Sequence, residues 1–127
     1  MKKWIFLAVL AAVCAASAAI YLEPHPLVSV PAEKVSQVFL AGDRQVTIKD
    51  RDQIERIVGC LNSVVVRRSR PSGIGGRMQC MVRLYDKRGQ ALCTLWIEDE
   101  HTVDDGTFFY KTREGQLDLG YLRMLSA

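Results

Sequence analysis

The chain has 127 residues, 49% of them hydrophobic and 24% charged, with 17 Lys and Arg against 14 Asp and Glu. Such a composition excludes an intrinsically disordered or low-complexity protein. No internal repeat appears, and the length beyond the apolar start is that of one domain with one core.

Lys2 and Lys3 form a short positive region, and Trp4 to Leu22 follows without a charged residue. Two readings fit this segment. In one, Trp4 to Val13 is the apolar region of a signal peptide and Ala16-Ser17-Ala18 is its cleavage site. In the other, residues 1–22 form an uncleaved anchor. A helix over that run spans roughly 28 Å, close to a hydrocarbon core of about 30 Å. Trp4 and Tyr21 would then mark the two interfaces, with the lysines on the cytoplasmic side. Both readings place residues 23–127 outside the cytoplasm, either secreted or anchored to the cytoplasmic membrane. Cys14 invites a lipid-attachment reading, but Ala11 and Val13 stand where a large aliphatic and a small residue are wanted.

Residues 23–34 hold Pro24, Pro26 and Pro31, the pattern of an extended linker. A single domain is expected over 35–127. Val35 to Leu40 and Gln45 to Ile48 read as short strands around an Ala41-Gly42-Asp43 turn. Asp50 is a helix N-cap with Gln53 three residues on. Ile54, Ile57, Val58 and Leu61 recur on one helical face, which predicts the main helix over about 51–62. Asp52 and Arg56 are spaced to pair on its other face, and Gly59 is expected where the helix approaches the sheet closely. Ser63 to Arg67 reads as a strand, Arg68 to Gly76 as a loop, and Met78 to Tyr85 with Ala91 to Ile97 as a hairpin. Its Asp86-Lys87-Arg88-Gly89 link has the marks of a type I turn, often bulged at the glycine. Asp105-Gly106 signals another hairpin between Thr102-Val103 and Phe108-Phe109-Tyr110, and Asp118 caps a short last helix, Leu119 to Leu125. The order β-β-α-β-β-β-β-β-α predicts an α+β fold, an antiparallel sheet of hairpins with the two helices packed on it.

The skeleton Val35-x-x-Val38-x-Leu40, Thr47-Ile48-x-Asp50, Ile54-x-x-Ile57, Leu84-Tyr85-Asp86-x-x-Gly89, Tyr110 and Asp118-Leu119-x-x-Leu122 resembles a family of small exported bacterial domains of unknown function. The resemblance covers about residues 33–125. It implies an extracytoplasmic compartment and an α+β fold and supplies no active site. Its members are often lipoproteins, a pattern from which the surroundings of Cys14 depart.

Charge is unevenly spread. Arg67, Arg68, Arg70, Arg77, Arg83, Lys87 and Arg88 stand against Asp86 alone, a local +6 over 67–88. Glu98, Asp99, Glu100, Asp104 and Asp105 make a local −5 over 98–105. The two stretches either steer partners or attract each other within the monomer. Arg67, Arg68, Arg70 and Arg77 are the candidate binding residues, for an anionic envelope component or a protein. No nucleic-acid partner is expected, because no stacking aromatics lie among these arginines. Ser72-Gly73-Ile74-Gly75-Gly76 lacks the helix start that a phosphate loop needs. The acidic segment matches no calcium-loop spacing, and neither a metal site nor a cofactor is expected.

His25 lies in the linker and His101 in the acidic segment, with no nucleophile placed beside either. The expected function is therefore a non-enzymatic extracytoplasmic binding module of unknown ligand. The alternatives are a small hydrolase or metal-dependent enzyme using 98–105 and His101, and a structural tethered domain of a membrane assembly. If Asp86 pairs with Gln90, Arg83 faces Cys93, and Cys80 and Cys93 point to opposite sides of the sheet, so they should not bridge. Cys60 with Cys80 is then the pair to expect if any bridge forms.

Overall fold

A computed structural model describes residues 2–21, 23–72 and 78–127. Helix α1 (Lys2–Tyr21) is exposed from Lys2 to Ala19 and is long and apolar enough over that span to cross a membrane. A signal sequence has the same character. The α+β class follows from what comes after it. Strands β1 (His25–Pro26), β2 (Gln37–Ala41), β3 (Gln45–Ile48), β4 (Val65–Pro71), β5 (Cys80–Tyr85), β6 (Ala91–Asp99), β7 (Thr102–Asp104) and β8 (Phe108–Glu114) form one antiparallel sheet. Their spatial order is β1-β4-β8-β7-β6-β5-β2-β3. Helices α2 (Arg51–Ser63) and α3 (Leu119–Leu125) sit where the sequence pattern puts them.

Period-two alternation divides the sheet into two faces. Val38 and Leu40 of β2, Val82 and Leu84 of β5, and Leu95 and Ile97 of β6 point to one side. There they meet Ile54, Ile57, Val58 and Leu61 of α2 and Leu119 and Leu122 of α3 in a single core. Asp50 accepts the Gln53 N–H at 3.0 Å and so caps α2, and Asp118 accepts the Tyr121 N–H at 3.3 Å to start α3. Two details of α2 differ from expectation. Arg56 does not take Asp52 as its partner. It reaches Asp118 at 3.5 Å and stacks over the Tyr121 ring at 3.6 Å, tying the two helices together. Gly59 faces open space, so no close approach to the sheet explains it. The close approach falls at Gly42 instead, where a Cβ would lie 2.3 Å from the buried Ser126 Oγ. Ser126 is locked there by its Oγ bond to the Leu122 carbonyl and by accepting the Arg44 N–H at 2.8 Å.

The segment 23–34 is extended but is not only a linker. His25 and Pro26 pair with Val66 and Val65, the Leu27 N–H bonds the Val64 carbonyl at 2.9 Å, and Val28 is buried. A 3-10 turn (Ala32–Lys34) follows, held by the Arg51 guanidinium on the carbonyls of Val35 and Ala32. The apolar Leu27 and Val28 carry the chain across the core edge, which proline spacing does not reveal.

The β5–β6 hairpin departs from the expected register. Asp86 and Gln90 are bonded as expected, with Asp86 N–H to Gln90 carbonyl 3.0 Å. Gly89 has φ +77°, however, and the ladder shifts by one residue between Leu84 and Tyr85. The extra residue is Leu92, between Ala91 and Cys93; the turn itself keeps Asp86 opposite Gln90 and Tyr85 opposite Ala91, so the shift arises within β6. Cys93 therefore opposes Leu84 rather than Arg83, and Cys80 opposes Ile97 rather than Trp96. The two cysteines share a face. They stand four ladder positions apart, about 13 Å along the strands, far beyond disulfide reach. Cys60, Cys80 and Cys93 all carry free thiols.

Candidate functional site

The sheet's second face carries no helix among the described residues. Phe39, Met81, Arg83, Tyr85, Thr94 and Trp96 lie on it, all half-buried. Arg83 is used internally: its Nε donates to Thr94 Oγ1 at 3.0 Å, and its Nη1 lies 3.4 Å from the Tyr85 hydroxyl.

Strand β4 distributes the candidate arginines. Val66 faces the core, so Arg67 faces the helix-free side and Arg68 the core side. A bulge between Arg68 and Arg70 returns Arg70 to the helix-free side, opposite Phe109. Arg77 lies outside the described residues. The four arginines of the sequence reading therefore do not act as one group: Arg67 and Arg70 share a surface, and Arg68 belongs to another.

On that surface Arg67 stands directly across the ladder from Lys111. Arg70 lies over the buried Phe109 ring at 4.5 Å. A cleft of about 290 Å³ is lined by Ser69, Arg70, Glu98, Thr102, Phe109 and Lys111. Like charges directly opposite each other in a sheet repel. Among the described residues the ion pairs within 4.0 Å are Arg51–Glu55 and Arg56–Asp118, and neither relieves Arg67 or Lys111. Glu98 is the one carboxylate lining the cleft. The Arg67 Nε is buried without a hydrogen-bond partner. Lys111 was missed in the sequence, because only the β4–β8 register places it beside Arg67.

The core side near the same edge holds a different group. The Tyr110 hydroxyl donates to Asp105 Oδ2 at 2.9 Å, and the Arg68 guanidinium lies over Phe108 at 5.2 Å. Burial raises the Tyr110 pKa, the Asp105 bond and charge raise it further, and Arg68 opposes them. His25 meets Tyr110 edge-on at 5.4 Å, and its buried Nε2 has no partner. Cys93 is pushed up to about 11 by burial and then by Asp105, so at neutral pH it is a thiol rather than a nucleophilic thiolate. The arrangement is a packed polar contact between β1, β4, β8 and the β7–β8 turn. It also joins a basic and an acidic stretch within the monomer.

The acidic segment is largely consumed by turns. Asp99 accepts the His101 N–H at 2.7 Å, and Asp104 accepts the Gly106 N–H and the Ser72 hydroxyl. Asp105 accepts the Thr107 and Phe108 N–H groups. His101 is exposed, with Nδ1 2.8 Å from Thr112 Oγ1. Among the described residues no group of three His, Cys, Asp or Glu is placed to hold a metal. A second basic cleft of about 340 Å³ lies at the β5–β6 turn, lined by Lys34, Asp86, Lys87, Arg88 and Leu92. Asp86 is engaged there by the Arg88 and Gln90 N–H groups. No protein-family model, curated protein or solved structure matches the chain.

Proposed function

We propose that the chain is a non-enzymatic binding module, tethered by α1 and working outside the cytoplasm, whose Arg67–Arg70–Lys111 surface receives an anionic group. The observation that carries this reading is the opposed pair Arg67 and Lys111. A sheet that places two cations face to face, with Arg70 beside them, lowers its free energy when an anion bridges them. A tethering role for α1 is supported by a helix whose span Lys2–Ala19 is long and apolar enough to cross a membrane. The carboxylates of Asp99, Asp104 and Asp105 already serve as acceptors for turn amides and hydroxyls, which favours binding over hydrolysis.

The test is charge reversal. The full chain in neutral-lipid nanodiscs should bind a soluble polyanion, polyphosphate being the probe, at low salt. The R67E/R70E/K111E variant should lose at least tenfold in affinity. Equal affinity in both proteins refutes the assignment. Protease added to spheroplasts should cut residues 23–127; full protection until lysis refutes the compartment.

A further inference from the structure

The direction of β1 says where the cationic surface points. His25 pairs with Val66 and Pro26 with Val65, antiparallel. The chain therefore enters β1 from the side on which β4 runs from Arg67 towards Pro71. Helix α1 ends at Tyr21, and the link to His25 spans four peptide steps, at most about 14 Å when fully extended. From Val66 to Arg70, opposite Thr112 and Phe109, the ladder advances three positions, about 10 Å, in that same direction. A helix that crosses a membrane thus delivers the membrane surface to the arginine end of β4. Thr102 pairs with Lys111 and stands level with Arg67, so the Asp99–Thr102 hairpin lies just past that rung, on the side away from Arg70, while β7 runs on to Asp104, level with Phe109 and Arg70.

We infer that the Arg67–Arg70–Lys111 surface rests on the anionic phosphate headgroups of the membrane that α1 crosses. This rests on the anion-binding reading above and names its partner. Three features fit a headgroup layer. Arg70 is exposed and held over Phe109, so its guanidinium stands out from the sheet at the membrane-facing end. Lys111 is exposed beside it across a cleft open to small groups. Beyond Val66 the outer edge of β4 is not paired with β1, which is only two residues long. A guanidinium takes phosphate oxygens in a bidentate fork, and a lysine supplies a mobile point charge. Juxtamembrane basic residues act within a Debye length, about 8 Å at 0.15 M salt, and the short link holds them near that range. The consequence is orientation: the domain leans the Arg70 end of β4 on the bilayer, with the tip of the Asp99–Thr102 hairpin on the side away from it.

The test places the full chain in nanodiscs of phosphatidylglycerol or phosphatidylcholine doped with a headgroup-diazirine lipid and maps adducts by mass spectrometry. Adducts are expected on the peptides holding Ser69 to Ser72 and Phe108 to Lys111. They should be at least fivefold more abundant in phosphatidylglycerol and fall as much in 0.5 M salt. R67E/R70E/K111E should lose them, and R67K/R70K should keep them. If the triple variant fails to fold, the single Lys111→Glu carries the test with a reduced yield. Adducts concentrated on Asp99 to Thr102, a yield unchanged by charge reversal, or a mature chain lacking residues 1–18 would each overturn the inference. Polyphosphate binding that depends on Arg67, Arg70 and Lys111 without lipid adducts leaves the anion site standing and removes the lipid. Loss of both removes the anion site as well.

Discussion

The two faces of this sheet are built by the same alternation and used differently. On the helix side every inward position of β5 is buried, and Cys80, Val82 and Leu84 meet α2 and α3 in a continuous core. On the other side Met81, Arg83 and Tyr85 remain half-buried, and near β4 the apolar character gives way to Arg67, Arg70 and Lys111. The covered face packs its residues into the core, whereas the uncovered face sets Arg67 opposite Lys111. Partners, not exposure, distinguish these half-buried arginines: Arg68 lies over Phe108 and Arg83 bonds Thr94, whereas Arg67 stands opposite Lys111.

The largest effect that would break this comparison is on stability. Leu84→Ala on the covered face should cost about 3 kcal/mol through lost burial and a residual cavity. Phe39→Ala on the helix-free face should cost only about 1 kcal/mol, since its ring is already partly in water. Urea unfolding of both variants measures the difference, and equal losses would mean that the second face is also a core.

A smaller effect comes from the buried thiol. The folded-state value of Cys93, about 11, lies above its ordinary value of 9.0, chiefly through burial and secondarily through Asp105. The neutral thiol is thus the form the fold favours. Its contribution is complete below about pH 9 and is lost as the pH rises towards 11, on the order of 2 kcal/mol. Tyr110 shifts in the same sense and adds to the loss above its ordinary value of 10.0. Cys93→Ser should flatten the alkaline side of the stability profile, and an unchanged profile would show that the thiol is not held neutral.

The smallest stability effect sharpens the comparison most. Lys111→Glu replaces a like-charge pair opposite Arg67 with an attractive one, so the fold should gain about 0.5 kcal/mol while polyanion binding falls. Thermal unfolding and polyanion titration on one sample check both signs. A variant that loses stability and binding together would mean that Lys111 supports the fold instead.

Much of the fold was legible in the sequence. Ile54, Ile57, Val58 and Leu61 marked α2, Asp50 and Asp118 marked two helix starts, and the Asp86–Gly89 and Asp105–Gly106 turns marked two hairpins. These signals are local, because a cap, a helical stripe or a turn is decided within a few residues. The register past Ala91 was not legible, because the inserted residue, Leu92, sits inside β6 away from the turn and moves every later side chain to the other face. The edge strand at His25 and Pro26 was hidden because its partners, Val65 and Val66, lie 40 residues away in the chain.

The candidate site shows the same division. Composition and spacing by themselves determined an exportable or membrane-crossing start, an α+β domain and a concentration of arginine in and after β4. Only the tertiary structure separated Arg68 from Arg67 and Arg70, brought Lys111 opposite Arg67, and paired β1 with β4 so that the chain enters β1 from the Arg67 side. Those facts depend on strand pairing between distant segments and on a bulge. Pairing is settled by which faces can be buried together, a property of the whole sheet rather than of any one of its strands.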